Sequence, residues 1–64
     1  MSAKVYVVTA EREGRFWLIR IPELEGTTQA YTEDEIPVMA RDYIAVTLDV
    51  PADSFEIDVD VRHA

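Results

Sequence analysis

The 64-residue chain has no cysteine, so neither a disulfide nor a thiolate-bound metal reinforces its core. Histidine occurs once, as His63 beside the C-terminal residue, and is expected to be a bystander rather than a base or ligand. Glycine occurs only as Gly14 and Gly26, which excludes a glycine-rich phosphate loop. No apolar run approaches the length of a membrane span, and residues 1–4 lead straight into a strand-like segment. No signal peptide is evident, so cytoplasmic residence without a membrane partner is expected. Basic residues are also scarce: six face thirteen carboxylates, for a formal charge of −7. Such a surface repels phosphate backbones, and the basic residues form no stripe with interleaved aromatics. Direct nucleic-acid binding is therefore not expected. The charge serves solubility and raises the encounter rate with a basic partner.

One domain spanning residues 1–64 is the only division this length allows. A domain of about 60 residues buries only about 60% of its unfolded surface, so self-association or a partner chain is physically expected. No repeat, low-complexity tract or linker interrupts it.

Residues 5–10 and 16–21 are rich in β-branched and aromatic side chains and read as an antiparallel hairpin. Gly14 supplies the positive φ of the turn. Pro22 ends the second strand, Gly26 closes the following loop, and a weaker third strand is predicted over residues 27–31. A helix follows, with Ile36, Met39, Ala40, Tyr43, Ile44 and Leu48 on one apolar face. Thr32 and Glu35 have capping-box spacing, and Glu33 and Asp34 complement the helix dipole. Pro37 leaves two starts open: a distorted first turn after a Thr32 cap, or a cap at Asp34 with Pro37 inside the first turn. Pro51 stops the helical region, and residues 54–62 alternate without exception. Phe55, Ile57, Val59 and Val61 point one way; Ser54, Glu56, Asp58, Asp60 and Arg62 point the other. The order is β-β-β-α-β, an α+β fold with one helix against a small sheet.

Hairpin parity separates two faces. A two-residue loop at Glu13-Gly14 pairs Arg12 with Arg15, Ala10 with Trp17, Val8 with Ile19 and Tyr6 with Ile21. Any even loop keeps this parity, and a three-residue loop reverses it. With an even loop, Tyr6, Val8, Ala10, Trp17, Ile19 and Ile21 share the face that the helix covers. Val5, Val7, Thr9, Phe16, Leu18 and Arg20 share the other. One helix covers one face, so Val5, Val7, Phe16 and Leu18 form a candidate interface, since exposed apolar patches mark interaction sites. Arg20 lies among them, and Glu56, Asp58 and Asp60 flank the patch if the last strand turns its apolar set to the helix.

Chemistry-bearing residues are few. Ser2 and Ser54 have no histidine placed by sequence to activate them. Asp58 and Asp60, with Glu33 or Asp42, are the one carboxylate set from which a metal-dependent hydrolase is conceivable; no catalytic residue, metal or cofactor is assigned.

The segments Val5-Tyr6-Val7-Val8-Thr9-Ala10-Glu11 and Gly14-Arg15-Phe16-Trp17-Leu18-Ile19-Arg20-Ile21-Pro22-Glu23-Leu24 resemble the opening hairpin of HicB-like antitoxins. Thr28-Gln29-Ala30 with Thr32-Glu33-Asp34-Glu35 resembles that family's third strand and helix start. Ala40-Arg41-Asp42-Tyr43-Ile44-Ala45 resembles its helix, particularly in actinobacterial members. The similarity extends from Val5 to Val61. It implies a partial RNase H-like fold with a four-stranded mixed sheet of order 3-2-1-4, the last strand parallel to the first. It also implies a partner, HicA, a small basic mRNA interferase neutralised by direct contact. RNase H nucleases carry an acidic residue on the first strand, and residues 5–10 contain none, so nuclease activity is not expected. Many HicB antitoxins add a C-terminal DNA-binding domain. With the chain ending at Ala64, self-contained operator binding is not expected. The expected function is toxin neutralisation within a type II toxin–antitoxin pair, with an orphan homo-oligomeric module as the alternative and a minimal hydrolase behind both.

Overall fold

A computed structural model describes residues 3–63. Strand β1 (Val5–Glu13) turns into β2 (Phe16–Ile21), and β3 (Gly26–Ala30) follows after a 3₁₀ turn at Pro22–Leu24. Helix α1 (Ile36–Leu48) is preceded by a second 3₁₀ turn at Glu33–Glu35, and β4 (Glu56–Arg62) closes the fold. The sheet order is β3-β2-β1-β4, with β4 parallel to β1 and both other pairings antiparallel. This is the mixed 3-2-1-4 sheet with one helix that was expected, and α1 is the crossover that a parallel pairing requires.

The hairpin loop lies one residue later than expected. Glu13 pairs with Phe16, leaving Gly14 and Arg15 as the loop. Gly14 has φ +62 and Arg15 does not share the positive φ, the pattern of a type II′ turn with glycine first. The pairing shifts by two residues, so Ala10 opposes Ile19 rather than Trp17, and the assignment of faces is unchanged. β1 consequently runs three residues beyond its expected end. β3 starts one residue earlier than predicted because Gly26 itself pairs, opposite Ile21.

The helix start follows the first alternative. Thr32 is the cap and the turn after it is distorted into 3₁₀, while Asp34 lies inside that turn and is not the cap. Tyr31 and Thr32 donate their backbone N–H groups to the Glu35 carboxylate at 3.0 and 3.1 Å, which organises the 3₁₀ turn after Thr32. The α-helix then begins at Ile36, so Pro37 sits in its first turn, where its missing N–H costs no helical bond. The helix ends before Pro51. The Val50 N–H donates to the Ala45 carbonyl at 3.0 Å and the Asp49 N–H to Val46 at 3.3 Å, a Schellman turn with Asp49 at φ +56.

The core joins Tyr6, Val8, Ala10, Trp17, Ile19 and Ile21 of the sheet to Ile36, Ala40 and Ile44 of the helix. Phe55 closes one end, edge-to-face with Tyr6 at 5.7 Å. Tyr43 lies over Gly26, where a Cβ would meet the ring at 2.5 Å; the missing side chain lets α1 approach β3. Arg41 fastens the α1–β4 connection through bonds to the carbonyls of Ala52 (2.6 Å) and Phe55 (2.9 Å).

Candidate interaction face

β1 and β2 are the central strands and are apolar on both sides, whereas α1 lies on one side only. The sequence alternation therefore becomes a contrast in exposure. Val8 is fully buried, while Val5 and Val7 are each 52% exposed. Phe16 and Leu18 are half-buried, and Arg20 is exposed.

The parallel register adds β4 to the same surface. Val5 lies beside Glu56, Val7 beside Asp58 and Thr9 beside Asp60. Ile57, Val59 and Val61 consequently turn toward the helix, beside Tyr6, Val8 and Ala10. All eight expected interface residues, Val5, Val7, Phe16, Leu18, Arg20, Glu56, Asp58 and Asp60, thus lie on the open face of one sheet.

Register also divides this surface more finely than alternation alone. Val5 and Val7 form one apolar strip against Glu56 and Asp58. Leu18 and Phe16 form a second, opposite Glu11 and Glu13. A polar row of Thr27, Arg20, Thr9 and Asp60 runs between them. Glu11 and Glu13 were missed as members of the face because residues 11–15 read as loop. The signal was available: glycine in first position of a two-residue loop favours type II′ and places the turn at Gly14-Arg15.

Carboxylates dominate the electrostatics. Glu11, Glu13, Glu56, Asp58 and Asp60 share the face with Arg20 and Arg62, and Arg62 is already paired with Asp60 at 3.3 Å. At the sheet's corner Lys4 pairs with Glu23 at 2.9 Å; that hydrogen bond and charge raise the Lys4 pKa above its ordinary 10.5.

The carboxylate set considered for a metal is not brought together. Asp58 and Asp60 lie on the open face, whereas Glu33 and Asp42 belong to the helical side, with the sheet between them. Among the described residues no group of three or more potential metal ligands converges. Ser2 lies outside the described residues. The His63 ring rests edge-on against Trp17 at 5.6 Å, and the Arg12 guanidinium lies over the same indole at 5.6 Å.

One feature escaped the sequence. α1 lies closest to β3, at the far side of the sheet from β4, and leaves Ile57, Val59 and Val61 half-buried. A groove of about 550 Å³ results between α1 and β4, with Pro37, Val38, Ile57 and Val59 among its apolar walls and Arg41 and Asp42 also lining it.

Comparison with protein-family models, curated proteins and solved structures finds no match to this chain. No helix among the described residues is long and apolar enough to cross a membrane.

Proposed function

We propose that this chain is an antitoxin-like binding protein of the HicB type, acting in the cytoplasm to neutralise a basic HicA-like mRNA interferase by direct contact. The observation that supports this reading is an open sheet face carrying exposed apolar strips framed by carboxylates. Val5 and Val7 are half-exposed, so covering each by a partner contributes roughly half of the 1.5–3 kcal/mol of a full burial, set against the cost of association. The carboxylates favour a partner of opposite charge and speed its approach. They also weigh against a second copy on this face, because self-pairing sets acidic rows against each other. An orphan homo-oligomer is therefore the weaker alternative.

Co-expression with a small basic protein encoded in the adjacent reading frame tests the proposal. The expected result is growth arrest by that protein alone, relief by this chain, and co-purification of the pair. Leu18→Lys and Phe16→Lys are expected to abolish relief while leaving the isolated chain folded. Relief that survives both substitutions, or an adjacent frame whose product is neither basic nor toxic, overturns it. Sedimentation of the chain alone separates the alternative: a concentration-dependent oligomer broken by Leu18→Lys supports self-association instead.

A further inference from the structure

The groove beside β4 and the free edge of that strand belong to one continuous surface. Glu56 donates its N–H to the Lys4 carbonyl at 2.8 Å, so the even-numbered residues of β4 direct their backbone groups toward β1. Alternation then turns the N–H and C=O of Ile57, Val59 and Val61 to the outer edge, where no strand of the described residues pairs. On the helical side this edge overlooks the groove with Pro37, Val38, Ile57 and Val59. On the other side it carries Glu56, Asp58 and Asp60, all exposed.

We propose that the β4 edge receives an extended segment of a basic protein as a fifth strand, its residues alternating apolar and basic. An added strand satisfies the outward backbone groups and sends successive side chains to opposite faces. The set on the helical side fills the apolar part of the groove, against Pro37, Val38, Ile57 and Val59. The set on the open side lies beside Asp58 and Asp60, where lysine or arginine is matched and acidic residues are repelled. A second copy of β4 fits less well: in the fully overlapped antiparallel register the apolar residues and Glu56 with Arg62 match, but Asp58 faces the other copy's Asp60, and the reverse, so two like-charged pairs oppose it. The edge shares Asp58 and Asp60 with the open face, yet the inference stands if the open face binds nothing.

Fluorescence polarisation with labelled seven-residue peptides, the length of β4, combined with amide hydrogen exchange, tests it. A peptide alternating valine and lysine is expected to bind and to slow exchange at Ile57, Val59 and Val61. The valine–glutamate counterpart and a scrambled valine–lysine peptide are expected not to bind. Asp58→Lys with Asp60→Lys is expected to weaken binding at least about tenfold, as is Val38→Glu, at a side chain exposed enough (65%) to leave the fold intact. Equal binding of the scrambled peptide, absence of binding, or protection confined to Val5, Val7 and Leu18 overturns the proposal. Edge amides already protected without peptide, and freed on dilution, overturn it in favour of a second copy.

Discussion

Val7 and Val8 are consecutive residues of β1, identical in chemistry and in backbone conformation, yet one is half-exposed and the other sealed. The two sides of the hairpin differ in what covers them and in composition, since the open side also carries Thr9, Glu11, Glu13 and Arg20. Beneath α1, the apolar residues of β1 and β2 join the helix in one core. On the open side, residues of the same type are only about half-buried by the chain's own folding, and the rest of their surface remains available to another molecule. The open side stays exposed because the fold has one helix for a hairpin apolar on both sides.

The largest expected difference between the sides lies in stability. Ile19→Ala removes a fully buried side chain and is expected to cost about 2–5 kcal/mol in urea denaturation. Val7→Ala is expected to stay within about 0.5 kcal/mol of the parent. Equal losses at the two positions would erase the distinction. Gly26→Ala tests how the helix is seated on its side: the new methyl displaces Tyr43, with an expected loss of about 1–3 kcal/mol. Arg41→Ala releases the carbonyls of Ala52 and Phe55 and leaves the guanidinium's place over the Phe55 ring empty. A loss of about 1–3 kcal/mol is expected, with faster amide exchange at residues 52–56.

The smallest effect is at the exposed corner. Because Glu23 raises the Lys4 pKa, the folded chain holds that proton more tightly than the unfolded chain does. Its contribution is fully present below pH 10.5 and is lost as the pH rises through the raised value. Glu23→Gln is expected to move the Lys4 titration, followed by NMR of its side chain, back toward 10.5. A titration unmoved by the substitution would show that the pair does not persist in solution.

Much of this was legible from periodicity. Alternation over residues 54–62 gave β4, which begins two residues later at Glu56, and both of its faces, because a period of two cannot be mistaken for a helix in so regular a run. Hairpin parity placed five of the eight candidate interface residues, Val5, Val7, Phe16, Leu18 and Arg20, on one side even though the exact pairing was off by two; Glu56, Asp58 and Asp60 followed from the alternation of β4. Parity survives that error, since a shift of two returns every side chain to its own face. The true extent of β1 was hidden by Glu11, Arg12 and Glu13, whose charges suggest loop although they pair with Leu18, Trp17 and Phe16. The helix start was ambiguous because Thr32 and Pro37 each obey a local rule, and a 3₁₀ turn between them satisfies both. The groove was not legible at all. It depends on which strands α1 covers, and the helix's apolar stripe says nothing of its lateral position over the sheet.

Methyl NMR of the chain titrated with the proposed basic partner examines the open face most directly. Saturation transferred from the partner is expected at Val5, Val7 and Leu18, with the Ile19 and Ile44 methyls beneath the helix unaffected. Transfer instead to Val46 and Leu48, on the solvent side and end of α1, or no transfer at any methyl, would contradict the assignment of the open face as the binding surface.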